Sequence, residues 1–215
     1  MAETKVKETK EPLFGKKERK LLVDPLLDNN PITVQVLGVC SALAVTSLVM
    51  PSLVMTVAVV FVCAFSNLFT SLLRNIIPNE VRLIAQLIII ATLVTIVELS
   101  LKYFDYPTYK ELSVYIGLII TNCIVMGRLE AFAMGNKPWK SFIDGLGNGI
   151  GYGIILIVVA VFRELFGKGT LAGFQILPEG YFANNLMVMP AAAMFILAVF
   201  IWIQRSRNKE LIDIS

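Results

Sequence analysis

Leu37-Gly38-Val39-Cys40-Ser41-Ala42-Leu43 and Ile119-Ile120-Thr121-Asn122-Cys123-Ile124-Val125 each set one cysteine inside an otherwise apolar run. The surrounding chain is built the same way. Of its 215 residues 56% are hydrophobic and 16% charged, whereas a soluble domain carries about a quarter charged residues. The shortage is uneven, with long stretches holding no charge at all. Runs of about 18 or more apolar residues read as transmembrane helices. The expected fold class is therefore an all-α integral membrane protein. Six apolar segments can be drawn, at 32–50, 52–73, 83–101, 112–127, 142–165 and 186–203. Pro51 is expected to end the first, and polar stretches such as Arg74 to Glu80 and Arg128 to Lys140 separate later ones.

Residues 1–28 read as a charged N-terminal tail, and 29–215 as a six-helix membrane domain. The first twenty residues mix seven basic with four acidic side chains, a pattern expected to stay solvated and mobile because it buries too little to fold. No short apolar core with a cleavage site follows, so a signal peptide is not expected. The chain has no histidine, which removes the commonest neutral metal ligand and proton relay. Three cysteines in apolar settings do not make a disulfide framework.

Charge sets an expected orientation. With the N-terminus inside, 15 of the 19 Lys and Arg residues fall on the inner side, and only Lys102, Lys110, Arg163 and Lys168 on the outer. That satisfies the positive-inside rule and puts both termini in the cytoplasm. Trp139 and Trp202 then lie near inner span ends, and Tyr103, Phe104, Tyr106 and Tyr109 at an outer end, as interfacial aromatic belts require.

Six spans divide into two sets of three, and an odd number forces the second set upside down. The expected halves are inverted repeats at about 29–105 and 106–205. Segments one and four match in position, are short or interrupted by polar residues, and carry Cys40 and Cys123. Interrupted helices at matching places in inverted halves point to a site near the bilayer midplane. Helices 1 and 4 are accordingly expected to be short or broken and to bring the two cysteines together.

What those thiols do stays open on the residues alone. A buried thiol is ordinarily a small hydrophobe. No C-x-x-C spacing is present, and two thiolates cannot complete a four-thiolate cluster, so a metal site here needs two ligands from another protein chain. Cys63, in the apolar run Val59 to Phe65, reads as packing.

Several stretches carry a family resemblance. Leu26-Leu27-Asp28-Asn29-Asn30-Pro31, Leu37 to Thr46 and Ile119 to Arg128 look like the D subunit of the sodium-translocating NADH:quinone oxidoreductases (Na+-NQR), which are homologous to the membrane subunits of the RNF complex. Glu130-Ala131-Phe132-Ala133-Met134, Ile143 to Gly149 and Val161 to Gly167 continue the match. The resemblance implies a membrane component of a respiratory sodium pump in the bacterial inner membrane. It implies that Cys40 and Cys123 supply half of an intramembrane [2Fe-2S] cluster whose other ligands come from the homologous E subunit. It also implies the A, B, C and F subunits as further partners, with FMN, riboflavin and FAD on those other subunits only. The RNF-type ferredoxin:NAD oxidoreductase subunit is the near alternative. Ser41-Ala42, where that protein usually has proline and leucine, favours the quinone-reducing pump. A cluster-free secondary ion transporter and a purely structural scaffold are the alternatives from other classes.

Carboxylates within the membrane are costly and stand as functional candidates. Glu98 and Asp144 are the candidates for a sodium pathway, since hard cations prefer oxygen ligands. Their plainer reading is interfacial solvation or a helix cap. Glu164 beside Arg163, and Arg128 with Glu130, read first as local charge pairs. Gly145, Gly149 and Gly153 recur every four residues and read as a close-packing helix face. Gln35, Ser41, Thr121 and Asn122 flank the cysteines, either to donate to cluster sulfurs or to satisfy backbone freed by broken helices. No NAD fingerprint, nucleophile–base pair or flavin attachment motif appears, so the chain is not expected to hold a complete active site, and no nucleic-acid partner is expected.

Overall fold

The computed structural model describes residues 16–27, 29–78, 80–104, 106–171, 174–175 and 189–207. The first fifteen residues of the expected tail, positions 186–188 of the sixth segment and Lys209 lie outside them. The described residues form helices α1 (Lys16–Leu27), α2 (Val39–Val45), α3 (Val49–Leu73), α4 (Arg82–Phe104), α5 (Tyr106–Ile120), α6 (Cys123–Arg128), α7 (Pro138–Lys168) and α8 (Pro190–Arg207). A π-helical turn, Leu129–Ala133, continues α6. The pairing of Thr170–Leu171 with Phe174–Gln175 is the sole strand pair among the described residues.

Among the described residues four stretches are long and apolar enough to cross a bilayer: Val49–Leu73, Arg82–Tyr103, Leu112–Ala133 and Pro138–Gly167. Pro190–Ser206 is a shorter apolar helix. Segment one does not span as a helix at all. Its helical part is the seven-residue α2, and residues 30–38 are turns and irregular chain. Pro51 does not end that segment as expected. It lies in the first turn of α3, where an intrahelical N–H bond is not needed and proline is tolerated.

The long helix α7 is the axis of the molecule. Pro138 starts it, and Gly169 at φ 70° ends it with its N–H on the Leu165 carbonyl at 3.1 Å. Its glycines divide between two faces. A Cβ at Gly145 would meet the Cys63 carbonyl oxygen at 2.7 Å and Ala64 Cα at 2.9 Å. One at Gly149 would meet Val60 Cα at 2.9 Å, and one at Gly153 would strike Thr56. All of these contacts are on α3, so the four-residue spacing does form a close-packing face. Gly147 and Gly151 turn instead to α1, where added carbons would meet Leu21, Leu22 and Pro25. Residues 16–27, expected to belong to a solvated tail, are therefore a helix lying against α7. The backbones approach so closely there that the cost of ordering a charged segment is offset by packing on glycine.

Candidate metal centre

The broken segments follow from local chemistry. Asn30, almost fully buried, accepts from the N–H groups of Ile32 (3.0 Å) and Thr33 (3.4 Å). Its side-chain nitrogen donates to the Gly151 carbonyl of α7 at 3.0 Å. That one side chain holds residues 30–38 against the middle of α7, satisfying irregular backbone that the bilayer cannot. Val36 at φ 55° and Gly38 at φ 77° then turn the chain into α2. Gly38 suits this position twice over. It adopts a left-handed backbone without penalty, and any Cβ would lie 2.7 Å from Ile124 Cδ1. The second break falls at Thr121–Asn122, between α5 and α6. There Asn122 caps α6 by accepting from Ile124 N at 3.2 Å.

These breaks bring Cys40 and Cys123, 83 residues apart in sequence, to a sulfur–sulfur distance of 3.9 Å. Both thiols are exposed on the surface of the chain. Two thiolates about 2.3 Å from one tetrahedral metal stand about 3.8 Å apart. The spacing therefore fits two ligands of one metal ion without rearrangement. No group of three or more His, Cys, Asp or Glu able to hold a metal occurs among the described residues. Among the described residues the donors gathered here are the two thiols, and both are exposed on the surface of the chain. Cys63, fully buried where α3 meets α7, is away from this pair.

Two charged anchors bracket the thiols along α7. Arg128, at the end of α6, pairs with Asp144, its Nε donating to Oδ2 at 2.9 Å. Asn148 Nδ2 donates to Asp144 Oδ1 at 3.2 Å. Toward the other end of α7, buried Arg163 donates to Thr46 Oγ1 at 2.7 Å and to the carbonyls of Leu43 and Met189. Glu164 accepts from Val49 N at 2.7 Å, satisfying a free N–H at the start of α3. From Tyr152, beside the thiols, these anchors are eight and eleven residues away, or about 12 and 16 Å at 1.5 Å per residue. Tyr152, and with it the thiol pair, therefore lies between the two anchors along α7. α2 runs from the thiols toward Arg163, and α6 runs the opposite way toward Asp144.

The other candidates do not gather at the thiols. Glu98, half-buried near the end of α4, accepts from Tyr109 OH at 3.0 Å, with Lys102 over the same ring. It lies at the opposite end of the bundle from Asp144. Arg128 and Glu130 do not pair with each other as expected. Instead Arg128 takes Asp144, while Glu130 pairs with Arg82 and accepts from Gln86. Helical geometry explains this, since side chains two residues apart point to different faces. Gln35 donates to Asn29 rather than toward the cysteines. Two participants escape a reading of the sequence, Asn30 and Tyr152. Asn30 falls within a stretch that carries the family resemblance, whereas Tyr152 gives no signal beyond being a polar aromatic among glycines.

Fold and site together define a helical membrane protein with an exposed thiol pair where two broken segments meet. Sequence similarity narrows the class further. The model of the Rnf-Nqr subunit family, a membrane protein, matches residues 19–201, and the chain belongs to that family. Among its relatives is the D subunit of the Na(+)-translocating NADH-quinone reductase of Photobacterium profundum, 58% identical over 192 residues, covering 87% of this chain and 91% of that one. The protein of the same name from Psychromonas ingrahamii is 54% identical over 200 residues, covering 91% and 95%. That from Shewanella halifaxensis is 53% identical over 204 residues, covering 93% and 97%.

Proposed function

We propose that this chain is the D-type membrane component of a bacterial sodium-translocating NADH–quinone reductase. In this reading Cys40 and Cys123 hold one half of a [2Fe-2S] cluster, and the homologous E subunit supplies the other two ligands. The observation that carries it is the 3.9 Å thiol pair, exposed on the surface of the chain at metal-ligand spacing; a midplane position is part of the proposal. Bound there, the cluster supplies one-electron transfer through the hydrocarbon. The chain's own residues keep both thiols at metal-ligand spacing and leave their outer side open to the partner. The A, B, C and F subunits, with the flavins FMN, riboflavin and FAD on subunits other than this one, complete the redox path.

The inverted-repeat architecture is part of the proposal, supported by the opposite directions in which α2 and α6 leave the thiols. So is an inner-membrane location with both termini cytoplasmic. It is supported by the grouping of Arg74, Arg82, Arg128 and Trp139 at the end of the bundle opposite Lys102 and Arg163. Glu98 and Asp144 are the candidate carboxylates for sodium at the two ends. Tyr109 and Arg128 already engage them, so sodium binding there requires partner exchange. Negative charge added at the thiol pair favours a cation nearby and biases which end is open. Sodium uptake that stays coupled to turnover in a complex lacking this metal centre contradicts that coupling.

The test is iron and acid-labile sulfide in the assembled complex, comparing the parent with Cys40→Ser, Cys123→Ser and Cys63→Ser. Loss of one two-iron centre in the first two and not the third is expected. Unchanged iron in all three removes the cluster from this chain and leaves the transporter or scaffold function.

A further inference from the structure

The wholly buried side chain of Tyr152 sits where the two broken segments meet, and nothing in the proposed electron path accounts for it. Its hydroxyl lies 2.8 Å from Ser41 Oγ, next in sequence to Cys40. Ser41 spends its own proton on the Gly38 carbonyl at 3.0 Å, so the tyrosine proton is the one shared with Ser41. The phenol oxygen then remains free to accept. Asn122, next in sequence to Cys123, has a buried side-chain nitrogen with no hydrogen-bond partner. The ring edge packs on Gly38, where a Cβ would lie 3.2 Å from Tyr152 Cε2. Tyr152 itself is held firmly, because Gly151 and Gly153 on either side seat α7 against α1 and α3.

We propose that Tyr152 is a positioning residue of the thiol pair, joining the half-helix of Cys40 to the half-helix of Cys123 and setting the distance between the two sulfurs. This inference rests on the cluster reading for its functional consequence, but its geometry concerns this chain alone. The hydroxyl ties the Ser41 side of the joint, and the ring edge meets Ile124 of α6 across Gly38 on the other. Tyr152→Phe keeps the ring and removes that tie. Ser41→Ala removes it from the opposite end.

In the assembled complex, both variants are expected to retain iron and sulfide and to shift the electron paramagnetic resonance spectrum and midpoint potential of the reduced centre in the same direction. The double variant is expected to shift no further than Ser41→Ala alone, because both changes delete the Tyr152–Ser41 hydrogen bond and Ser41→Ala also removes the one to the Gly38 carbonyl. A parental spectrum and potential in Tyr152→Phe overturns the proposal, since ring packing alone then suffices. A second measurement is independent of iron. In membranes holding the full chain with Cys63→Ser and no partner subunit, so that both thiols are free, diamide oxidises Cys40 and Cys123 to a disulfide. The two thiols give up two electrons and two protons, and the reagent becomes the hydrazine. Loss of one hydrogen bond should slow this closure about fivefold in Tyr152→Phe. Slowed closure in Tyr152→Phe together with no iron in the parent complex refutes the cluster and keeps the positioning role. Equal closure rates refute the positioning role whatever the iron content.

Discussion

Gly149 offers a sharp test of how the thiol site is held. It faces α3 so closely that an added Cβ would lie 2.9 Å from Val60 Cα and 3.2 Å from Val60 Cγ2. Carbon atoms pack at about 3.5–4.0 Å, so Gly149→Ala must open the α3–α7 contact by about 0.6–1 Å. Backbone cannot swing aside as a side-chain tip can, and overpacking of this kind costs about 1–3 kcal/mol. Tyr152 is three residues further along α7 and moves with it. Metal sites tolerate about 0.2 Å of error in ligand distance, several times less than the opening. The expected result is an assembled complex with a lowered melting temperature and lowered iron. Gly147→Ala is the control. Its Cβ would meet the Leu21 carbonyl oxygen at 2.9 Å and Leu22 Cα at 3.2 Å, pushing α1 away from α7 on the other face. It should lower stability and spare iron. Parental iron and melting in Gly149→Ala, or equal iron loss in both variants, refutes the idea that the α3 face of α7 sets thiol spacing.

Gly38→Ala combines a left-handed backbone at φ 77° with a Cβ 2.7 Å from Ile124 Cδ1. The backbone alone costs about 1–2 kcal/mol, so loss of iron is expected. Gly135→Ala, whose Cβ would find only the Phe132 carbonyl oxygen at 3.9 Å, should be neutral in the same assay. Arg128→Gln strands the buried Asp144 carboxylate, and breaking such a pair costs about 3–5 kcal/mol. Adding Asp144→Asn should recover part of that loss in thermal denaturation, and purely additive losses in the double variant refute a direct pairing.

Much of this protein is legible without coordinates. The length and apolarity of 52–73, 83–101 and 142–165 dictate helices that cross a bilayer, and α3, α4 and α7 cover them. The polar residues around Cys40 and Cys123 mark segments one and four as irregular, because polar groups in hydrocarbon need internal partners. The four-residue glycine spacing foretells a close helix contact. Other features are illegible for physical reasons. Arg128 can choose Asp144 over Glu130 only once α6 and α7 lie side by side. The basic residues of α1 mask a helix whose order comes from glycines over a hundred residues away.

The sequence by itself determined the membrane class, the long helices and the two cysteines, since hydropathy and helical period are properties of contiguous residues. Only the tertiary structure decided that the thiols meet at 3.9 Å, that Asn30 pins one broken segment to Gly151, and that the Tyr152 hydroxyl meets Ser41. Each of those contacts joins residues at least 83 positions apart. No local pattern encodes them, because their geometry exists only after α7 has packed against α3 and given the broken segments a surface to meet on.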